Sequence, residues 1–499
     1  MTESGALRRA VAATLLPGFV GTALPGWLEA RLRDGLGGVC VFGPNIESAS
    51  QLRELTDAIY AANPGAIIAI DEEGGDVTRL YYATGSPLPG NAILGRIDDL
   101  DYTRSIARRI GFDVRRAGFN LNLAPDADVN SSPDNPVIGV RSFGTSPEEV
   151  AAQVSAWTDG LQSTAVAACA KHFPGHGDTN VDSHLALPVV NRSIEQLRER
   201  ELVPFMAAIA AGTRAIMSSH ILLPQLDADR PATLSRRILG DLLRGELGFT
   251  GLIASDALDM AGASGVIGIP EAAVRALDAG CDLLCIGSET TAEQLDEIEG
   301  SMLAAVAAGR LAADRVRDAA SRVIALAEEL SVARGDIPIP AADSELSESD
   351  ARRALDSFAV QPGVRDTLAR SAESLQIVNL DTQANKAIGC VPWGLSAELA
   401  ADPARYSGTK LTARPSVSTN APSGLTVDPH AVPVVIGRDI HRSPESRAVV
   451  DRLREGHPNT IVVDMGWPGT DRAYADVATF GGSRLAGRAL ADLLNGGAK

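Results

Sequence analysis

The chain has 499 residues, a length that calls for two or three domains, and its 45% hydrophobic and 22% charged residues exclude a disordered or collagen-like chain. Its 45 Lys and Arg against 63 Asp and Glu leave a formal charge of −18. A field of that sign repels phosphate backbones and anionic bilayers, so neither nucleic acid nor membrane is the expected partner and a small or neutral ligand is favoured.

The N-terminal segment has a short apolar run behind Arg8 and Arg9, broken by Pro17 and Gly18. It is too short for a membrane span and reads as the first strand of the fold rather than a targeting signal. Short β-rich runs then alternate with helical patterns. Strands are predicted near 14–20, 37–42, 66–71, 119–124, 166–171, 214–219, 251–255 and 282–287, with helices near 48–62, 101–117, 146–163, 193–212 and 291–308. In the second of these helices Ile106, Ile110 and Val114 repeat every four residues, which makes one apolar face.

Eight strand-helix repeats in the first two thirds predict an α/β fold, a (β/α)8 TIM-like barrel over residues 1–335, with a doubly wound open sheet as the rival. A further helix is expected at 311–331. Residues 336–350, with Pro338, Pro340 and an acidic cluster, read as a linker, and 351–499 as a smaller C-terminal α/β sandwich domain. Its strands are predicted near 375–380, 432–437 and 460–465 and its helices near 443–454 and 483–494, while 381–430, rich in Pro, Ser and Thr, reads as surface loop. Cys40, Cys169, Cys281, Cys285 and Cys390 are odd in number, and four of them lie in apolar runs. That usage points to buried thiols in a reducing compartment, hence to the cytoplasm, and a monomer or weak homo-oligomer is expected.

The barrel is favoured because several strands run directly into polar residues. AIIAI reaches Asp71, AVAACA reaches Lys171 and His172, AIMSS reaches His220, and GLIAS reaches Asp256. Barrel active sites form at the carboxyl ends of strands, so these residues make one candidate site. The densest cluster is KHFPGHGDTNVDSHLALP, residues 171–188, where Pro174, Gly175 and Gly177 exclude a helix. Within it, Asp182 and His184 can act as an acid/base unit: the carboxylate accepts from one ring nitrogen and leaves the other to move a proton. His172, His176, Asp178 and His184 are also zinc-ligand types, but their spacing matches no zinc signature and HExxH is absent, so neither metal nor cofactor is expected. Asp256, in GLIASDALDMAG, would aim a carboxylate into the barrel mouth as a nucleophile; its alternative is a helix cap.

Taken together, LLPGFVGT, DEEGGDVTRL, NPVIGVRSFG, KHFPGHGDTNVDSH and SDALDM resemble, in order across residues 14–290, glycoside hydrolase family 3 in its β-N-acetylglucosaminidase (β-N-acetylhexosaminidase) branch. The resemblance implies a barrel domain and a retaining exo-acting hydrolase of terminal β-linked N-acetylglucosamine, in cell-wall (peptidoglycan) fragments or chitooligosaccharides. It also implies Asp256 as nucleophile, the Asp182–His184 dyad as acid/base, and Asp71, Arg141, Lys171 and His172 as binders of the sugar ring, with Arg79 beside them. Arg79 and Asp128, the latter in PDADVN, stay open to a structural ion-pair role. The family's usual DQEGGRV is DEEGGDV here, so Glu72 and Asp76 add negative charge and count against anionic sugars. Every candidate residue precedes position 290, so removing 351–499 is expected to spare the constellation. A phosphorylase using the same residues, a metal-dependent hydrolase and a non-catalytic sugar-binding protein are the rival functions.

Overall fold

The computed structural model describes residues 3–179, 186–341, 347–370, 375–380, 387–411, 417–418 and 425–496. Eight strands make the first layer: β1 (Leu15–Leu16), β2 (Gly38–Val41), β3 (Ile67–Ile70), β4 (Leu121–Asn122), β5 (Ala167–Phe173), β6 (Ala215–Ser218), β7 (Leu252–Ala254) and β8 (Leu284–Cys285). Seven fall within the predicted apolar runs, and β5 continues two residues past the end of its run, through His172 and Phe173. β2 to β7 are parallel neighbours in sequence order, and β1 pairs in parallel with β8. Backbone bonds close the two seams: Cys40 N donates to Pro17 O at 3.0 Å between β2 and the end of β1, and Asp282 N donates to Ile253 O at 2.7 Å between the approach to β8 and β7. A ring of eight strands with helices outside is a (β/α)8 barrel.

Each strand reads as an unbroken apolar run because both of its faces are covered. In β3, Ile67 and Ala69 pack with the barrel interior, alongside Cys40, Leu121, Cys169, Met217 and Cys285. Ile68 and Ile70 turn the other way, into the layer under the helices with Ile106, Ile110 and Val114. The interior cluster also takes Val323, Leu326 and Leu330 from the helix Ala313–Asp336.

Three local expectations change. Residues Glu3–Ala13 form a helix rather than a strand, packed on the helix Ala313–Asp336, and the first strand shrinks to two residues. The predicted helix at 193–212 is two, Ile194–Glu199 and Leu202–Ala210. Pro204 has no N–H to donate and so is confined to the first turn of a helix, which forces a restart just before it. The stretch 381–430 is not all loop, since Gly394–Ala401 is helical.

The second sheet is built from β9 (Ala359–Val360), β10 (Leu375–Asn379), β11 (Val417–Ser418), β12 (Val432–Gly437), β13 (Ile461–Asp464) and β14 (Val477–Ala478), in the order β11-β10-β12-β13-β14-β9. All pairs are parallel except β14 with β9 at the edge. Helices Pro444–Gly456 and Arg484–Leu494 match the expected ones, and separate apolar clusters line the two faces of the sheet. Helix Glu348–Ser357 begins within 336–350, capped by Ser347 Oγ, which accepts from Asp350 N at 2.9 Å. The second sheet's layer meets the barrel side directly: Arg96 Nε donates to Ser357 O at 2.6 Å and Arg442 Nη1 to Asn135 O at 3.0 Å. Among the described residues no helix is long and apolar enough to cross a membrane.

Candidate active site

A cavity of about 360 Å³ opens at the carboxyl ends of the barrel strands, and Asp71, Arg79, Arg141, Lys171, His172 and Asp256 all line it. Six residues spread over 186 positions of sequence thus meet, as the strand-end rule requires. Asp71 directly follows β3 and Asp256 stands two residues past β7. Lys171 and His172 lie within β5, where the register with β6 slips between Ala170 and Phe173, an irregularity of the kind that re-aims side chains next to a site.

Glu73 is the centre of the charge network. Its Oε1 lies 2.7 Å from Lys171 Nζ and 2.8 Å from Arg141 Nη2, and its Oε2 accepts from Arg141 Nε at 3.0 Å. This is a bidentate guanidinium-carboxylate pair shared with an ammonium. Burial alone would raise the Glu73 carboxyl, but Arg141 and Lys171 outweigh it and hold the group well below the usual carboxylate range. Burial likewise works against the Lys171 charge, and Asp71, whose Oδ1 is 2.7 Å from Nζ, together with Glu73 raises it above the ordinary lysine value. The cavity therefore carries the charges of Glu73, Arg141 and Lys171 in one hydrogen-bonded network.

His172 is held in one tautomer. Arg141 can only donate, so His172 Nε2, 3.3 Å from Arg141 Nη2, accepts, and Nδ1 donates to Asp128 Oδ2 at 2.7 Å. Burial and the Arg141 charge push its pKa down to about 4, so the ring is neutral. Asp128 also accepts from His176 N at 2.5 Å, and His176, another cavity residue, pairs through Nδ1 with Thr179 Oγ1 at 2.8 Å. With the His172 ring neutral, Asp128 is a hydrogen-bond partner behind the wall rather than half of an ion pair. Behind it again, Asp126 is fully buried, and burial plus the Asp128 charge lift its carboxyl to about 8. Asp126, Asp128 and His172 bring donor atoms within 4.8 Å of one another. The guanidinium of Arg141, 3.5 Å from Asp126 and 3.3 Å from His172, already supplies the positive charge a metal ion would bring there.

Two tight turns set these positions. Glu73 N donates to Val77 O at 3.1 Å across a hairpin whose corner residues Gly74 and Gly75 have φ of +81° and +65°, a region that favours glycine. In the loop after β5, a Cβ at Gly177 would stand 1.7 Å from Val129 O, so only glycine lets that loop lie against the segment carrying Asp128.

Several expected residues lie elsewhere. His220 is buried outside the cavity, where Nε2 donates to Ala257 O at 2.9 Å beside Asp256 and Nδ1 is 2.9 Å from Thr233 Oγ1. Asp178, a member of the alternative zinc set, is bound by Arg192 and Arg200, both at 2.8 Å. Asp182 and His184 lie outside the described residues. Asp256 Oδ1 accepts from Ala257 N at 2.8 Å.

Glu72 and Asp76 do not add charge to the cavity, against expectation. Glu72 Oε2 accepts from Thr78 Oγ1 and from the amides of Arg79 and Leu80, all within 2.9 Å, and burial raises the carboxyl to about 7. Asp76 is neutralised by Arg438 at 2.8 Å. Nor is the wall the barrel's alone. Ala387 of the second domain lines the cavity, and Arg79 donates to its carbonyl at 2.7 Å and to that of Ile388 at 3.4 Å, while Arg79 Nη2 stays 4.0 Å from Asp71. Removing 351–499 would therefore strip a wall. Glu73 is not among the residues expected from sequence, although the pattern carries a signal for it: Asp71 and Glu73 are two apart in an extended segment and so share a face.

The family model described as Glycosyl hydrolase family 3 N terminal domain matches residues 29–326. The chain belongs to glycoside hydrolase family 3. The solved structure of a family 3 β-N-acetylglucosaminidase from Paenibacillus sp. str. FPU-7 is 29% identical with a TM-score of 0.84, covering 98% of this chain and 96% of that one. A β-hexosaminidase of Stenotrophomonas maltophilia (strain K279a) is 37% identical over 301 residues, 58% of this chain and 88% of the relative. β-Hexosaminidase A of Pseudoalteromonas piscicida is 33% identical over 359 residues, and the match spans 66% of this family 3 chain but only 60% of that protein.

Proposed function

We propose that this family 3 glycoside hydrolase is a retaining exo-β-N-acetylglucosaminidase that releases terminal β-linked N-acetylglucosamine. The observation that carries the reading is that Asp256 shares one cavity, about 360 Å³, with the hydrogen-bonded network of Asp71, Glu73, Arg141 and Lys171. A volume at the lower end of ligand pockets suits a single sugar ring. The names of the Stenotrophomonas and Paenibacillus proteins support the same substrate class.

In this reading the Asp256 carboxylate, with one oxygen steadied by the Ala257 amide, attacks the anomeric carbon and the glycosidic oxygen leaves, giving a covalent glycosyl-enzyme. His184, steered by Asp182, protonates the departing oxygen and then takes a proton from the water that attacks the same carbon from the opposite side, breaking its bond to Asp256 and releasing the carboxylate. The ordinary pKa of an imidazole, ~6.5, suits that residue type to both steps at neutral pH. Asp71, Lys171, Arg141 and His172 grip ring hydroxyls, and Arg79 orients Asp71. We place the enzyme in the cytoplasm, on the strength of four buried thiols, acting as a monomer or weak homo-oligomer in peptidoglycan-fragment turnover.

The decisive experiment is release of 4-nitrophenol from 4-nitrophenyl N-acetyl-β-glucosaminide, compared with the β-glucoside, with and without phosphate. Preference for the N-acetylated sugar with free N-acetylglucosamine as product is expected. A sugar 1-phosphate as the main product would replace hydrolysis by phosphorolysis, and no turnover at all would leave a sugar-binding protein. His184→Ala is expected to slow glycosides with poor leaving groups more than activated aryl ones; equal losses would remove its acid role.

A further inference from the structure

We propose that the buried Asp76–Arg438 pair is a positioning device through which the second domain fixes the Glu73–Val77 hairpin and so sets how tightly the cavity grips its sugar. The proposal rests on the sugar-cleaving reading above for its kinetic consequence, though not for its geometry.

Asp76 sits at the tip of the hairpin that begins at Glu73, and both Glu73 and Val77 line the cavity. The base of the hairpin is tied from below, by Glu72 to the amides of Arg79 and Leu80. The tip is held from the other domain. Arg438, just past the end of β12, places Nη2 2.8 Å from Asp76 Oδ1, and Gly482 N donates to Asp76 Oδ2 at 2.8 Å. Asp76 is 5% exposed and Arg438 8%, and the guanidinium lies 4.3 Å over the ring of Trp393. The backbone of Gly482 closes so tightly over the pair that a Cβ there would stand 2.8 Å from Arg438 Nη2.

A desolvated pair of this kind is weak evidence for net stability, because burying both charges costs about what their attraction returns. Its consequence is registry. Three residues from the tip, Glu73 must meet Lys171 and Arg141 at 2.7–2.8 Å, a tolerance a loosely anchored turn does not keep. Loss of the anchor weakens the grip on ring hydroxyls in ground and transition states alike, so it reads out in KM rather than kcat.

The test compares Asp76→Asn, Arg438→Gln, their double variant and Gly482→Ala in the full chain. It uses Michaelis kinetics on 4-nitrophenyl N-acetyl-β-glucosaminide, thermal unfolding, and hydrogen exchange of residues 72–80. Each single variant is expected to raise KM about tenfold with kcat within about twofold, and the double to be no worse than the poorer single, since partners in one contact are not additive. Faster exchange confined to 72–80 is expected alongside. Unchanged KM in both charge variants, a loss seen only in Tm, or an additive double would overturn the proposal. A wild-type chain without turnover would sink the sugar-cleaving reading instead. The exchange arm then decides the clamp by itself: faster exchange of 72–80 in Asp76→Asn supports it, and unchanged exchange overturns it.

Discussion

In the barrel, β3, β5 and β7 deliver Asp71, Lys171 and Asp256 to a common cavity, whereas in the second sheet β12 and β13 lead to Arg438 and Asp464, whose side chains are taken up by protein. Asp464 accepts from the amides of Asp439, Ile440 and Gly466 at 2.8, 3.1 and 2.8 Å. Both sheets obey the rule that parallel strands present polar groups at their carboxyl ends. The barrel closes, so its strand ends converge on one axis and their side chains face each other across a space. The second sheet is open, its strand ends spread along a line, and neighbouring loops and the barrel itself satisfy them. Polar residues at strand ends are therefore a necessary sign of a site, and curvature decides whether a site forms.

Four variants break or sharpen this contrast. The largest effect is expected for Asp256→Ala, which removes the only group proposed to attack: turnover falls by about 10⁴-fold or more with an unchanged fold by circular dichroism, and near-normal activity would refute the assignment. Lys171→Met comes next. It leaves Asp71 and Glu73 facing each other without their shared cation, so kcat/KM is expected to drop about 100-fold and unfolding free energy by roughly 3–5 kcal/mol in denaturant titration. On the other sheet, Asp464→Asn sets an NH₂ against the Ile440 amide and is expected to cost about 1–3 kcal/mol while kcat stays within about twofold. A loss of turnover as large as that of Lys171→Met would erase the distinction between the two edges.

The smallest effect concerns pH. Burial, helped by neighbouring carboxylates at Asp126 and Asp464, raises the carboxyls of Asp126, Glu72 and Asp464 to about 8, 7 and 7, while it lowers His172 and His176 to about 4. From pH ~6.5 upward the folded histidines are neutral and their unfolded counterparts shed their remaining protons, a smaller term than that of the three raised carboxyls, which still hold protons the unfolded chain has released. Stability is therefore expected to fall as pH rises from about 6.5 to 8. Asp126→Asn cannot titrate and should make that fall shallower by one proton, about 1.4 kcal/mol per pH unit. Denaturant titrations at both pH values check this, and an unchanged slope would mean that Asp126 is ionised in the folded chain.

Much of the candidate site was legible because its residues sit where local pattern changes abruptly, as at Asp71 after IIAI and Asp256 after LIAS. Their convergence was inferred from the count of strand-helix repeats. His220 looked the same in sequence, at the end of AIMSS, yet its ring turned to Ala257 O. Which way a strand-end side chain points depends on the partners it meets, and those come from other parts of the chain. Asp76 is the sharper case, since its carboxylate could be read as added cavity charge until Arg438, 362 positions later, was seen to hold it.

By itself, the amino-acid order determined the eight apolar runs, the glycines that permit the Glu73 hairpin and the β5 loop, and the chemical identity of the groups at each strand end, because all of these follow from periodicity and local sterics. Only the tertiary structure decided that Glu73 joins Lys171 to Arg141, that Asp128 fixes the His172 tautomer, and that the second domain completes the wall at Ala387. Those are contacts between segments remote in sequence, made where the closed barrel leaves charged groups too little water to be satisfied any other way.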